Sequence, residues 1–362
     1  MALTVSATDS EVTKPVNTIF QQTLLRRARR RAPYFIGSRP GEIERRRGTA
    51  TCTWRRYANL LASTTALSEL TGNASYGQGR TPATLSVTDV TATMSKYGNF
   101  IIENEEVDVF TYNAHGDEVM GVMGENAGHS LNILQRNLIE DNATAVYSSN
   151  AASAGAVIAT LAATDLQVAL NALDENSAEP FAPMTTGSQN VGTSPILPAF
   201  WGICHPDLAR DIAVNITGFT SVEKYAGQVD VVSGEFGAYG LAGVGIRFVS
   251  TPLGGIDTGA GASVTSQDVY ATSGSADVYN LVILGRDAIG SVGLGEMYPD
   301  GVYRAGDDLG PVEIIAHGLG SGGTSDPYSE VATVAWKAWW TGAVLNGDWA
   351  RVIRTAATNI NN

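Results

Sequence analysis

Arginine is the residue type best placed to do chemistry in this chain, and it is concentrated near one end. Arg26, Arg27, Arg29, Arg30, Arg31, Arg39, Arg45, Arg46, Arg47, Arg55 and Arg56 fall in one short stretch that holds only two acids, Glu42 and Glu44. That stretch carries +9 in a chain of net charge -13, which leaves -22 on the rest. A guanidinium group does two kinds of work. It neutralises phosphates with little demand on geometry, and it pairs with carboxylates in a fixed fork. Arg26, Arg27, Arg29, Arg30 and Arg31 are densely spaced and need little fixed structure, which suits phosphate contacts. They are expected to face nucleic acid, with pairing to the acidic body of a neighbouring copy as an equal alternative. Arg45, Arg46, Arg47, Arg55 and Arg56 flank or enter a strand, and are expected to make ion pairs between subunits.

Other chemistry is sparse. The four histidines, His115, His129, His205 and His317, are scattered. Cys204 and His205 are adjacent, a poor chelating geometry in a strand. Two cysteines, Cys52 and Cys204, make no disulfide framework and read as reduced, buried thiols. The glycine-rich run 318–327 lacks the Lys-Ser/Thr of a phosphate-binding loop. There is no Gly-x-Ser-x-Gly elbow. Glu105-Glu106 and Asp307-Asp308 are neighbours, and neighbouring side chains in a strand point to opposite faces. The sequence therefore points to no catalytic set, no metal site and no cofactor. No apolar run approaches the ~20 residues of a membrane span. The first ten residues have neither a basic start nor an apolar core, so synthesis and initial residence in the cytoplasm are expected.

These residues sit on recognisable elements. Residues 1–47 read as an arm with too few apolar residues to fold alone, including a short helix within 18–31 ended by Pro33 and Pro40. Strand alternation runs from Thr49 to Tyr57 and again from Leu85 to Met94. Between them lies a tip rich in glycine, with Gly72, Tyr76, Gly77, Gly79, Arg80 and Pro82. The whole reads as a long two-stranded projection, and its tip residues are expected to contact another subunit. A third strand is expected at 100–110. Met120, Met123, Ala127, Leu131, Leu134 and Leu138 recur at helical spacing, which predicts a helix over 117–142. Further on, a helix is expected at 164–172, a strand and a Pro206-initiated helix over 198–214, and strands at 245–250 and 279–285. Residues 254–277 read as a mobile loop. Residues 331–345 and 348–355, joined by Asn346-Gly347, read as a β-hairpin. Four of the six tryptophans, Trp336, Trp339, Trp340 and Trp349, lie in it.

The composition leaves two readings open: much of the polar surface is uncharged, or much of the surface meets other subunits. Charged residues are only 16%, low against the ~25% usual for soluble globular chains. The 44% of hydrophobic residues is ample for a large core.

Three stretches carry a family resemblance: LLRRARRRAPYF, then GTATCTWRRYANLLASTTALSEL, then LSVTDVTATMSKYGNF. With the ending HGLGSGGTSDPYSEVATVAWKAWWTGAVLNGDWARVIRT, they resemble the major capsid proteins of tailed bacteriophages, in the group typified by the N-four phage. The stretch 101–110 is more acidic than that pattern, and 144–310 matches nothing in it. The resemblance implies an α+β, Hong Kong 97-type fold: an N-terminal arm (1–47), an extended β-hairpin loop (48–112), a peripheral domain (113–195 and 311–362) with a spine helix at 117–142, and an axial domain (196–310). It implies a non-enzymatic subunit of an icosahedral virion shell, built of hexamers and pentamers around double-stranded DNA. Portal, scaffold and cement or decoration proteins would be its other partners, and a membrane would not. Lys96 is the one lysine of the projecting region, and covalent cross-linking through it is not expected. A non-viral, encapsulin-like compartment of the same fold, a nucleic-acid-binding regulator and an unrecognised enzyme are the other readings the residues allow.

Overall fold

The structure is a computed structural model. It describes residues 33–43, 48–58, 60, 62–64, 83–106, 115–181, 196–225, 231–241, 243–265, 268–294, 312–319, 321–322 and 326–360. Its strands are β1 (Arg39–Ile43), β2 (Thr51–Tyr57), β3 (Val87–Thr93), β4 (Ser95–Asn104), β5 (Thr144–Tyr147), β6 (Ala199–Cys204), β7 (Phe219–Ser221), β8 (Glu235–Leu241), β9 (Val244–Ser250), β10 (Ile256–Asp257), β11 (Ala271–Thr272), β12 (Ser275–Ala276), β13 (Val278–Leu284), β14 (Ile289–Leu294), β15 (Val312–His317), β16 (Val331–Val344) and β17 (Ala350–Thr355). Its helices are α1 (His115–Asn142), α2 (Ala163–Glu175) and α3 (Pro206–Asn215).

The larger sheet runs β5-β17-β13-β6-β9-β8-β7, with β10 added on β13. Every residue of β6 and β13 is buried. Unbroken apolar runs such as Leu281–Leu284 arise when a sheet is covered on both faces. Here Leu281 and Ile283 meet Leu166, Leu170 and Leu173 of α2 and Leu208 and Ile212 of α3. Val282 and Leu284 point the other way, toward Tyr34 and Ile139 of α1.

The smaller sheet runs β1-β14-β16-β15, with β4 also on β16. It packs on the length of α1. Val119, Met123, Ala127 and Leu131 recur every four residues and face Trp336, Ala338 and Trp340 of β16. The 28 residues of α1 span ~42 Å at 1.5 Å per residue, so one helix reaches both sheets. Sheet membership cuts across sequence order. The larger sheet takes β5 and β17 from far outside 196–310, and the smaller one takes β14 from within it.

Four expectations need correction. Residues 331–355 are not a hairpin: β16 pairs with β14, β15 and β4, and β17 pairs with β13 and β5 in the other sheet. The Asn346-Gly347 step is a single turn of 3-10 helix in which Asn346 Oδ1 accepts from Asp348 N at 3.3 Å. Its chain thus crosses between layers instead of folding back. Of the four tryptophans, Trp336 and Trp340 join one core, Trp349 packs against the other and Trp339 is exposed.

Residues 254–277 are built as well as looped. Asp277 accepts from Gly259 N at 2.7 Å and Thr272 Oγ1 at 3.1 Å, and β11 pairs with β12. The strand expected at 100–110 is shifted to Ser95–Asn104, because its ten-residue ladder with β16 sets its ends. Cys204 is buried and Cys52 only partly so, and among the described residues neither is in a disulfide. The short helix expected within 18–31 lies outside the described residues.

Candidate interaction surface

The projecting element is the β2–β3 pair, a two-stranded sheet in register from Thr51↔Thr93 to Tyr57↔Val87. Its two faces differ. Cys52, Trp54, Val90 and Ala92 share one face and turn inward at the base, where a small cluster of Ile43, Met94 and Val292 receives Cys52 and Trp54. Beyond that base both faces meet solvent: Tyr57, Val87, Leu60 and Leu85 are all exposed apolar residues. A lone two-stranded ribbon is marginal in water. Among the described residues, this one is held to its own subunit at its base.

The hold is specific. Trp54 lies on the backbones of β1 and β14 at two glycines. A Cβ on Gly41 would fall 2.6 Å from Trp54 Cζ2, and one on Gly290 would fall 2.7 Å from the same atom. Neither position has room for a side chain while the indole stays where it is. Met94 is the single residue between β3 and β4; its N–H donates to Ala50 O at 2.9 Å. The hairpin therefore passes without a linker into β4 and the smaller sheet.

A second exposed apolar surface lies on that sheet. Across the β4–β16 ladder Trp339 faces Lys96, Ala335 faces Phe100 and Thr333 faces Ile102, so these side chains share one face. Phe100, Ile102 and Trp339 are exposed on it. Lys96 Nζ sits 6.0 Å from the centre of the Trp339 ring, within reach of a cation–π contact.

Among the arginines of that stretch, Arg39, Arg55 and Arg56 are described, and Arg39 Nη1 lies 3.5 Å from Asp287 Oδ2. Arg55 makes a two-pronged contact with Asp89 directly across the hairpin, Nε–Oδ1 2.8 Å and Nη2–Oδ2 3.0 Å. That pairing raises the guanidinium pKa and lowers that of the carboxyl. Its carboxylate partner is thus in the same chain. Arg56 points to the other face, opposite Thr88. Arg26, Arg27, Arg29, Arg30, Arg31, Arg45, Arg46, Arg47, Gly72, Tyr76, Gly77, Gly79 and Arg80 lie outside the described residues. Sequence reasoning missed Asp89 and the Gly41–Trp54–Gly290 seat. Asp89 becomes visible only once the strand register is known. Nothing local in the sequence marks which glycines face an indole.

A polar constellation at the start of α3 is a helix cap. His205 Nδ1 accepts from Asp207 N at 3.3 Å at the start of α3, and the Tyr279 hydroxyl donates to Asp207 Oδ2 at 3.3 Å. Burial lowers the His205 pKa, which suits a neutral imidazole accepting a bond. Burial pushes the neighbouring Cys204 thiol far up, so it carries no thiolate. Among the described residues no three His, Cys, Asp or Glu side chains converge as a metal site, and no helix is long and apolar enough to cross a membrane.

The chain is similar in structure to solved phage capsids along nearly its whole length. The capsid of Ralstonia phage GP4 is 10% identical, with 92% of this chain and 93% of that chain covered at a TM-score of 0.59. The capsid asymmetric unit of cyanophage Pam1 is 14% identical, with 87% of each covered at 0.50. The acidic stable capsid structure of Helicobacter pylori bacteriophage KHP30 is 11% identical, with 91% and 92% covered at 0.50. No family model and no curated protein matches the chain. At such identities the likeness establishes the fold, which is the α+β, Hong Kong 97-type architecture.

Proposed function

We propose that this chain is the major capsid protein of a tailed bacteriophage. Copies of it close as hexamers and pentamers into an icosahedral head around double-stranded DNA, and the chain itself performs no catalysis. The observation that carries this reading is the shared fold with the Ralstonia phage capsid over 92% of the chain. The half-anchored hairpin supports it, since a ribbon with exposed Tyr57 and Val87 gains a second side only from a neighbour. The exposed Phe100, Ile102 and Trp339 offer that neighbour an apolar floor.

In this reading residues 1–47 are the arm, 48–112 the extended loop, 113–195 with 311–362 the peripheral domain and 196–310 the axial domain. The pairing of β4 with β16 ties the return strand of the loop to the peripheral part. Arg26, Arg27, Arg29, Arg30 and Arg31 face the genome. Arg45, Arg46, Arg47, Arg55 and Arg56, with the hairpin tip, contact neighbouring subunits, Arg55 while keeping its partner Asp89. Portal, scaffold and decoration proteins are the further partners, and the virion is the place of residence. Electron microscopy of the purified chain, alone and with proteins encoded beside it, tests the reading. Closed shells or capsomers are expected. A chain that stays monomeric in every native condition refutes it.

A further inference from the structure

The joint between α1 and the larger sheet contains a buried carboxyl group that the assembly reading does not use. Arg136 and Glu140 stand one turn apart on α1, with Arg136 Nε 3.8 Å from Glu140 Oε2. Both reach the segment that follows β9. Arg136 Nη1 donates to Leu253 O at 2.8 Å. Its Nε and Nη2 also donate to Asn137 Oδ1, at 3.1 Å and 2.9 Å. The Glu140 carboxylate lies directly against Gly255, where a Cβ would collide with both of its oxygens. The Gly255 carbonyl accepts from Asn280 N at 3.0 Å, which ties this segment into β13.

The charged and polar groups around Glu140 come from every element packed there. They are Arg136 on its own helix, Asp257 on β10, Asn280 on β13, Arg354 on β17, and the buried Tyr34 beneath the helix. The Asn280 side-chain amide also reaches Asp257 Oδ2 at 3.4 Å. The Glu140 side chain is only 10% exposed. Its Oε1 has no hydrogen-bond partner among the described residues, and neither has Arg354 Nε. An ionised carboxylate so placed is desolvated with one oxygen unmatched, which is costly. The positive charge of Arg354 acts on the same carboxyl.

We propose that Glu140 is a protonation-controlled clasp between α1 and the larger sheet. When the carboxyl is neutral, Arg136 keeps its bond to Leu253 and the helix stays seated on 253–257. When it is ionised, it draws Arg136 and Arg354 toward itself, and the Leu253 contact loosens. Burial supports this by raising the Glu140 pKa to about 7, while Arg136, Asn280 and Arg354 pull it down and Asp257 adds to the rise. The sign follows from linkage. A carboxyl that holds its proton more tightly when folded favours the folded state most below its unfolded pKa, and that advantage is lost as pH rises through about 7.

The test is amide hydrogen exchange on the full chain from pH 5.5 to 8.5, corrected for intrinsic rates, with Glu140→Gln alongside. Protection over 253–257 and the last turn of α1 should fall roughly tenfold across neutrality in the natural chain and stay flat in the variant. A step of the same size in both, or none in the natural chain, overturns the proposal. Should the variant fail to fold, carbon-13 titration of glutamate carboxyls in the natural chain decides. A buried glutamate that titrates near neutrality supports the clasp, and all glutamates ionised at pH 5.5 removes it.

Discussion

Gly290→Ala is the cleanest probe of how the hairpin is held. The three atoms nearest the new methyl all belong to Trp54: Cζ2 at 2.7 Å, Cε2 at 2.9 Å and Cη2 at 3.1 Å. Ordinary carbon contacts lie near 3.5–4.0 Å, so the indole must retreat by about 1 Å. It cannot tilt toward β1, because the same Cζ2 already closes the space above Gly41. Overpacking of this kind costs ~1–3 kcal/mol. The backbone at 290 is not in the left-handed region, so Ala brings no strain of its own and returns ~0.4–1 kcal/mol through the unfolded chain. The remainder, ~1–2 kcal/mol, falls on the seat of Trp54. Since 1.4 kcal/mol is about tenfold in an equilibrium, amide exchange across β2 and β3 should quicken roughly 5- to 30-fold in the variant, while β13 and β17 keep their protection. Trimming the ring by Trp54→Leu in the Gly290→Ala background should recover part of the lost protection in β2 and β3, a coupling that a double-mutant cycle measures. Unchanged exchange in the hairpin, or an equal rise throughout the subunit, would show that Trp54 is not its anchor.

Three further outcomes are expected. Arg247 forks onto Glu235 at 2.7 Å through each prong, 4.7 Å from the centre of the Trp201 ring. Arg247→Met should cost ~3–5 kcal/mol by stranding the buried carboxylate, and adding Glu235→Leu should restore much of it, as read by urea midpoints. Deleting 72–82 should leave a folded subunit with an unchanged melting transition but impaired shell formation. A deletion that instead unfolds the isolated subunit cooperatively places that tip in the core. Replacing Arg26, Arg27, Arg29, Arg30 and Arg31 with glutamine should leave shells intact and release DNA at lower salt; replacing Arg45, Arg46, Arg47, Arg55 and Arg56 should reduce shell yield itself. If both sets block assembly equally, and neither changes DNA retention in the particles that remain, the arm is only a strap between subunits.

What the sequence made legible is what depends on local spacing. The α1 helix and the β2–β3 pair follow from three-to-four and two-residue periodicity, and both stand where that periodicity puts them. What it hid depends on partners distant in the chain. Asn346-Gly347 is a strong local signal for a hairpin, yet β16 and β17 part there: β16 pairs with β14, β15 and β4, and β17 with β13 and β5 in a different sheet. The arginine stretch combines both cases. Its charge is plain from composition, but charge alone does not say whether a carboxylate partner lies in the same chain or the next. Register does. On one face of the hairpin Arg55 meets Asp89; on the other, one residue along, Arg56 meets Thr88. The guanidinium that faces a hydroxyl instead of a carboxylate shares its face with Trp54 and leads outward from the anchored base. Of the two arginines on the hairpin strands it is therefore Arg56 whose fork is better placed to take a carboxylate from a neighbouring subunit, and Arg56→Gln should lower shell yield more than Arg55→Gln.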